Sequence, residues 1–198
     1  MSGKRKAEQA DVEVALVAAE ARNHPIVRAA GALSELADQP PLITGCAAVC
    51  VVGVAIGNQR LARAGLRMLL AELLATAAKD MIKQRIDRSR PRSVIAGKPY
   101  RAEPGDEHES ESNSFPSGHT AGAVAVACAF ARDYPEHANI AYAIAAATGA
   151  VQVPRSAHYP VDVAAGAMIG LLSDYVVAAG GDLFTRLAAT APAPRPAP

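Results

Sequence analysis

Five apolar segments recur along the sequence, and they restrict the chain to a fold of packed helices. The first occupies residues 39–59 and contains no charged residue. Its length is close to the roughly 20 residues that a helix needs to cross a bilayer. The other four occupy residues 64–82, 117–131, 138–153 and 161–179. Long apolar segments of this kind are typical of helices that are buried in a protein core or in a membrane.

The composition of these segments favours a membrane. They are rich in Ala and Gly, which allow helices to approach one another closely inside a bilayer. We therefore predict an all-α, membrane-embedded bundle of about five spans, preceded by an N-terminal amphipathic helix at residues 24–37. A soluble helical bundle is the alternative, because the mean hydropathy is only +0.11 and tryptophan, which is common at membrane interfaces, is missing. Glu72, inside the second segment, is expected to pair locally with Arg67.

The sequence divides into three parts. Residues 1–40 form a polar N-terminal segment with the amphipathic helix, residues 41–180 form the membrane-embedded domain, and residues 181–198 form a tail rich in Pro and Ala. Inside the domain, residues 92–115 are rich in Gly, Pro, Ser and charge and include an acidic run from Glu103 to Glu111. This composition predicts one long loop, and loops of such length are usually functional or disordered.

The charge balance argues against nucleic acid as a partner. The formal net charge is only +1, which gives no basic field of the kind that attracts phosphate backbones. Cys46, Cys50 and Cys128 lie in apolar runs and lack the spacing of a disulfide framework or a Cys/His metal site. We expect these three residues to be packing residues.

The first of three polar stretches follows the second apolar segment and contains Lys83, Arg90 and Pro91. The two cations are seven positions apart, which is two helical turns, so both are expected to lie on one helix face, and Pro91 prevents the helix from continuing far beyond. An ammonium and a forked guanidinium can together hold phosphate oxygens and their developing charge without a metal. Basic residues also flank membrane spans routinely, so this stretch alone is weak evidence for a site.

The second stretch, Ser114-Phe115-Pro116-Ser117-Gly118-His119-Thr120, lies at the start of an apolar segment. Pro and Ser suit a helix start, Gly allows the backbone to approach a ligand, and the amide groups of a first helical turn bind anions. The unperturbed pKa of a histidine lies near neutrality, so His119 can donate a proton to a leaving oxygen. An ordinary capped helix with an exposed histidine would have the same residues.

The third stretch contains Arg155, His158, Pro160 and Asp162, ahead of the last apolar segment. Pro160 fits a first helical turn, in which Asp162 is close enough to fold back onto His158. A carboxylate can fix the tautomer of an imidazole and raise its nucleophilicity. If the apolar segments are spans, alternating their direction places residues 83, 117, 153 and 161 at one membrane edge, so the three stretches are expected to form one phosphate site.

Together these residues resemble the type-2 phosphatidic acid phosphatase superfamily, which includes lipid phosphate phosphatases, bacterial acid phosphatases and vanadium haloperoxidases. The family pattern is a Lys with Arg-Pro seven residues later, then Pro-Ser-Gly-His, then Ser-Arg with a His six residues after that Arg and an Asp four residues later. The first two parts match in full, and the third matches at His158 and Asp162. The resemblance spans roughly residues 64–180.

The sequence departs from the family pattern at the second phosphate-binding arginine. Gln152 stands in place of that arginine, and Val151 stands in place of the serine before it. Arg155 lies three residues later, close to one helical turn, and is our candidate for the missing charge.

The resemblance implies a mechanism and a set of site residues. His158 is expected to be the nucleophile that forms a phosphohistidine, His119 the acid that protonates the leaving group and then activates water, and Asp162 the residue that orients His158. The expected phosphate-binding residues carry cationic groups or backbone amides: Lys83, Arg90, Arg155, Ser117 and Gly118. The resemblance implies no metal and no other cofactor.

The resemblance also implies a function. The leading hypothesis is a multi-pass phosphatase of the cell membrane that hydrolyses a lipid phosphate or diphosphate, such as a polyprenyl diphosphate or phosphatidate. A soluble acid phosphatase or haloperoxidase on the same scaffold is the second hypothesis, and a catalytically silent membrane protein is the third. The side of the membrane that the site faces stays open, because the cations at residues 60–67 and those at residues 4–6 predict opposite orientations.

Overall fold

The computed structural model describes residues 3–105 and 113–190, and these residues are mostly helical. The α-helices in the described ranges are α1 (Gly3–Ala18), α2 (Pro25–Ser34), α3 (Gln39–Ala55), α4 (Gln59–Lys83), α5 (Pro91–Ile95), α6 (Gly118–Asp133), α7 (Ala138–Val151) and α8 (Pro160–Thr190). Short 3-10 turns occupy Ala19–Asn23, Glu35–Ala37 and Pro135–His137. Strands β1 (Ile86–Arg88) and β2 (Ala102–Pro104) form an antiparallel pair.

The five apolar segments all form helices, namely α3, α4, α6, α7 and α8. This confirms the helical fold class, because an apolar chain satisfies its backbone polar groups within the helix. The strand pair was not predicted. Strand β2 and most of α5 lie within residues 92–115, so the prediction of one uninterrupted loop is wrong at residues 92–95 and 102–104. Most of the acidic run, at 106–111, and residues 191–198 of the tail lie outside the described residues.

The core of the bundle consists of small side chains. Its main cluster lies between α4, α6 and α8 and consists of Ala71, Ala75, Ala121, Ala125, Ala129 and Ile169. Gly170 on α8 shows how closely the helices approach, because a Cβ atom built on it would lie 2.5 Å from the carbonyl oxygen of Ala121. Small residues therefore bring the backbones of α6 and α8 into direct contact.

Large apolar side chains lie on the outside of the same helices. Exposed examples come from four helices: Val51, Val54, Leu70, Ile140, Ile144, Met168, Leu172 and Val176. An isolated exposed apolar side chain is normal on a soluble protein, but a continuous apolar surface indicates contact with a partner or a membrane. In this bundle the small residues are inside and the large apolar residues are outside.

Among the described residues, one helix is long and apolar enough to cross a membrane by itself, and one bent pair of helices is so when taken together. Residues Pro160–Leu183 of α8 are long and apolar enough to cross a membrane by themselves, with a mean hydropathy of 1.6. Pro25–Ala37 and Gln39–Ala55 satisfy the same criterion only as a pair, and they are bent by 58° at Asp38. The segment at 24–37 is therefore helical and joins α3 at a sharp bend.

The end of the bundle far from the predicted site is neutralised by ion pairs. Arg63 and Arg67 on α4 contact the buried carboxylate of Asp133 at 2.5 and 3.1 Å. The expected pairing of Glu72 with Arg67 is therefore wrong, because Arg67 points towards the end of α6. Glu72 instead accepts a hydrogen bond from Thr76 one turn along its own helix, at 3.1 Å.

Candidate active site

A small polar pocket of about 110 Å³ lies where α3, α4 and α6 meet the loop before α8. It is lined by both predicted histidines and by several charged or polar residues: Asp38, Gln39, Glu72, Lys79, Lys83, Arg90, Gly118, His119 and His158. The structure thus brings residues from all three polar stretches to one place. Helices α4, α6 and α8 produce this arrangement because they pack together with their site-bearing ends on the same side.

Lys83 and Arg90 reach the pocket by different routes. Helix α4 ends at Lys83, and the chain passes through β1 before Arg90 precedes α5. The expectation that both lie on one helix face is therefore wrong, although both donate to the carbonyl oxygen of Asn113, at 3.0 and 3.4 Å. Burial lowers the pKa of Arg90 to about 10, so its guanidinium is still charged at neutral pH.

One hydrogen bond and the burial of the ring determine the protonation of His158. Nδ1 of His158 lies 2.7 Å from the carbonyl oxygen of Ser114. A carbonyl oxygen only accepts, so Nδ1 carries a proton, and in the neutral imidazole Nε2 keeps its lone pair. Burial of the imidazole, together with the nearby cation of Arg90, lowers the pKa of His158 to about 4. His158 is therefore a neutral imidazole with a free nitrogen at physiological pH.

Asp162 fixes the backbone around His158. Its Oδ2 atom accepts hydrogen bonds from the hydroxyl of Ser114 at 2.5 Å and from the amide of Tyr159 at 2.9 Å. Its Oδ1 atom lies 2.5 Å from Nη1 of Arg88. The distance from Oδ2 to Nδ1 of His158 is 3.8 Å, which is too long for a hydrogen bond. Asp162 is therefore close to His158, as expected, but contacts it through Ser114 and Tyr159.

The start of α6 lines one side of the pocket. Ser117 is the N-cap residue, and its hydroxyl accepts a hydrogen bond from the amide of Thr120 at 3.4 Å. The Ser117 amide donates to the carbonyl oxygen of Asp162 at 3.0 Å, so Ser117 lies behind the pocket. Gly118 and His119 line it, and their amides belong to the first turn, where helices lack intrahelical acceptors.

His119 faces the segment that joins α2 to α3. Its Nε2 atom is buried without a hydrogen-bond partner among the described residues. The carboxylate of Glu35 lies 3.7 Å from that atom. A polar atom in this state is available to a ligand that enters the pocket.

Gln152 and Arg155 are both turned away from the pocket. Gln152 is fully buried, and its amide donates to the carbonyl oxygen of Thr148 at 2.9 Å and to the hydroxyl of Ser34 at 3.2 Å. Arg155 donates to the same hydroxyl at 2.7 Å and forms an ion pair with Glu35. The expected phosphate contact of Arg155 stays a prediction, and Glu35 is the residue that lies between Arg155 and His119.

Sequence reasoning missed several residues of the site. Lys79 lines the pocket one turn before Lys83 on α4, and the i, i+4 spacing of the two lysines was a usable signal. Ser114 was part of the second stretch, but its bonds to His158 and Asp162 join residues more than forty positions apart. No local pattern predicts such contacts.

The fold is similar to those of two solved proteins. One is the transmembrane PAP2-type phosphatidylglycerolphosphate phosphatase from Bacillus subtilis, with a TM-score of 0.63, 20% sequence identity, and coverage of 89% of this chain and 87% of that one. The other is LpxE from Aquifex aeolicus, with a TM-score of 0.61, 19% identity, and coverage of 83% and 92%. No curated protein sequence matches the chain significantly.

The sequence model of the PAP2 superfamily matches residues 64–184. This range is more than half of the chain, and it contains all three polar stretches together with α6, α7 and most of α4 and α8. The predicted family is therefore confirmed, and with it the predicted enzyme class, a hydrolase of phosphate esters. The chain belongs to the PAP2 superfamily.

Proposed function

We propose that this protein is a multi-pass membrane phosphatase that hydrolyses a lipid phosphate or diphosphate, without a metal, through a phosphohistidine on His158. One observation carries the proposal. Nδ1 of His158 donates to the carbonyl oxygen of Ser114, which leaves Nε2 with its lone pair. The His158 side chain lines the same pocket as Lys83 and Arg90. An unprotonated imidazole beside two fixed cations suits attack on an anionic phosphoryl group.

The proposed reaction has two steps. In the first, the lone pair of His158 Nε2 attacks phosphorus in line, the bond from phosphorus to the leaving oxygen breaks, and His119 transfers a proton to that oxygen. In the second, His119 takes a proton from water, whose oxygen attacks phosphorus and releases phosphate and neutral His158. Lys83, Arg90 and the amides of Gly118 and His119 stabilise the charge on the equatorial oxygens in both steps. Asp162 orients His158 through the backbone of Tyr159 and through Ser114.

The distribution of apolar side chains supports a membrane location. Large apolar residues cover the outside of α3, α4, α7 and α8, while alanine and glycine form the interior. In water this arrangement would expose much of the apolar surface, whereas in a bilayer it costs nothing. We assign about five spans to α3, α4, α6, α7 and α8 in the cell membrane, within a domain at 41–180 that follows the N-terminal segment at 1–40. The segment at 24–37 is assigned to the membrane surface.

A second cavity supports a lipid substrate. A groove of about 810 Å³ lies between α2, α6 and α7 and is lined almost entirely by apolar side chains such as Leu33, Val126 and Ile144. Ala37 lines this groove and the next residue, Asp38, lines the polar pocket. An acyl or prenyl chain in the groove would therefore place its phosphate beside the two histidines. One structural neighbour is a phosphatidylglycerolphosphate phosphatase, which is consistent with this class of substrate.

One observation favours a second candidate, a catalytically silent membrane protein. Gln152 stands where the family has an arginine, and its amide nitrogen donates to Thr148 and Ser34 inside the bundle rather than into the pocket. A site that lacks this charge would bind phosphate more weakly and could be retained for binding alone.

Turnover separates these candidates. The purified protein in detergent is tested with phosphatidate, phosphatidylglycerolphosphate, a polyprenyl diphosphate and a soluble phosphomonoester. We expect phosphate release from a lipid substrate that persists in excess chelator, is inhibited by vanadate and is abolished in His158→Ala. Activity that disappears with chelator contradicts the proposed mechanism, and absence of turnover with every substrate favours the silent protein. Preference for the soluble ester together with partition into the aqueous phase would favour a soluble acid phosphatase.

A further inference from the structure

Helix α1 contains a buried carboxylate that the proposed reaction does not use. Asp11 lies in a segment of charged and polar residues, yet only 7% of its surface is exposed. A buried carboxylate is costly unless it is paired and hydrogen-bonded. Asp11 satisfies this requirement with two partners, Arg88 on β1 and the amide of Val161 in the first turn of α8.

Arg88 connects Asp11 to the nucleophile loop. Its Nη2 atom lies 2.6 Å from Oδ2 of Asp11, and its Nη1 atom lies 2.5 Å from Oδ1 of Asp162. The guanidinium also stacks on the ring of Tyr159, 4.2 Å from the ring centroid. The rigid, forked guanidinium thereby sets the position of Asp162 relative to α1. Asp162 in turn holds the Tyr159 amide next to His158.

Asp11 also acts on α8 directly. Its Oδ1 atom accepts the hydrogen bond of the Val161 amide at 3.0 Å, one of the amides that a helix start leaves without an intrahelical acceptor. Residues 159, 161 and 162 are thus all held by the two carboxylates and Arg88. His158 lies next to this fixed segment, and its Nδ1 atom is held by Ser114, which Asp162 also binds.

We propose that Asp11 is a positioning residue for the nucleophile, and that it acts through Arg88 and the first turn of α8 so that helix α1 is part of the catalytic apparatus. This inference rests on the proposed function, because it assigns Asp11 a role in the attack by His158. Asp11 does not line the pocket and touches neither the substrate nor the reacting atoms. Its effect is on the direction of the His158 lone pair, and misplacement of a reacting group by about 1 Å can cost roughly a hundredfold in rate.

The test compares Asp11→Asn with Glu13→Gln in the full-length protein. Asparagine keeps an oxygen for the Val161 amide but loses the charge that binds Arg88. Glu13 is an exposed carboxylate on the same helix, so its substitution removes the same charge without touching the network. For each variant, kcat and KM are measured with the best lipid substrate, together with the inhibition constants of vanadate and inorganic phosphate and the thermal midpoint in detergent.

Vanadate and phosphate separate positioning from simple destabilisation. Vanadate forms a bond to the nucleophilic imidazole, whereas inorganic phosphate reports mainly on the cations. We expect Asp11→Asn to lower kcat and to weaken vanadate inhibition by roughly tenfold or more, with KM and phosphate inhibition within about twofold of wild type. Glu13→Gln is expected to match wild type in every measurement. Asp11→Glu, which keeps the charge, should recover part of the lost kcat.

Three results would overturn the inference. If Asp11→Asn keeps wild-type kcat and vanadate inhibition, Asp11 does not position His158 even though the proposed function stands. If vanadate and phosphate inhibition weaken equally, or only the thermal midpoint falls, the role of Asp11 is structural. If the wild-type protein neither releases phosphate nor binds vanadate, the proposed function fails, and the positioning role fails with it.

Discussion

The carbonyl oxygen of Ser114 lies 2.7 Å from Nδ1 of His158 and fixes the tautomer of the nucleophile. Because the carbonyl oxygen cannot donate, the proton is on Nδ1 and the lone pair is on Nε2. In many enzymes a carboxylate fills this role, but here the carboxylate of Asp162 is 3.8 Å away. The backbone thus sets the tautomer, while Asp162 sets the position of the surrounding loop.

The acid limb of the pH profile should reflect the burial of His158. Burial lowers the pKa of this imidazole to about 4, compared with about 6.5 for an unperturbed histidine. The neutral, nucleophilic form therefore predominates above pH 4, and attack should slow only as the pH falls through that value. We expect kcat/KM, corrected for ionisation of the substrate phosphate, to show no loss from His158 between pH 7 and pH 5. An acid limb near pH 6.5 that remains in kcat/KM after this correction would contradict the expectation.

The role of Arg155 can be tested against that of Glu35. Their ion pair is partly exposed, and such a pair contributes about 0–1 kcal/mol, so a phosphate dianion can compete for the guanidinium. We expect Arg155→Ala to lower kcat/KM by roughly tenfold or more, because the site loses a cation that Gln152 does not replace. The control is Arg132→Ala, which removes a cation paired with Asp174 near the other end of α6.

A double variant shows how Arg155 acts. If Arg155 binds phosphate, Arg155→Ala with Glu35→Gln should be as slow as Arg155→Ala alone. Recovery of activity in the double variant would mean that Arg155 serves only to neutralise Glu35 beside His119. Wild-type activity of Arg155→Ala would mean that it contributes neither charge nor position.

Close packing of α8 on α6 should make Gly170 intolerant of a methyl group. A Cβ atom there would lie 2.5 Å from the Ala121 carbonyl oxygen and 2.8 Å from the Cβ atom of Val124. We expect Gly170→Ala to lower the free energy of unfolding by about 1–3 kcal/mol. Gly180 lies on the same helix with nothing within 4 Å of an added Cβ, so Gly180→Ala should be neutral or stabilising by up to about 1 kcal/mol. Thermal unfolding of both variants in one detergent measures the difference, and equal midpoints would argue against the close packing.

Filling the apolar groove should affect lipid substrates selectively. Ala141 on α7 lines the groove. Ala141→Phe should raise KM for a long-chain lipid phosphate by roughly tenfold, because the lipid chain loses the burial of roughly two CH₂ groups at about 0.8 kcal/mol each. Activity on a soluble phosphomonoester should be unchanged. The matched control is Ala143→Phe, at an exposed position of the same helix. An equal effect on both substrates, or an equal effect of both variants, would exclude the groove as the site of the chain.

Much of the fold was accessible from local patterns. The five apolar segments predicted α3, α4, α6, α7 and α8, because the preference of an apolar segment for a helix depends on its own residues. The short strands were missed, since β1 forms only through pairing with β2, fourteen or more positions away in the chain. The expectation of a continuous helix from Lys83 to Arg90 is wrong for the same reason. Residues Ile86–Arg88 pair with β2 and are not part of the helix.

The sequence by itself determined the helices, the family and the identity of the histidines and cations, because each depends on residue type and short spacing. Only the tertiary structure decided which residues form hydrogen bonds and ion pairs with these side chains. Ser114 fixes His158, Glu35 holds Arg155 away from the pocket, and Arg88 joins Asp11 to Asp162. These partners are between 44 and 120 positions apart, and their contacts follow from the packing of helices on one another. No periodicity in the chain encodes a contact of that kind, so the orientation of the nucleophile could be read only from the folded molecule.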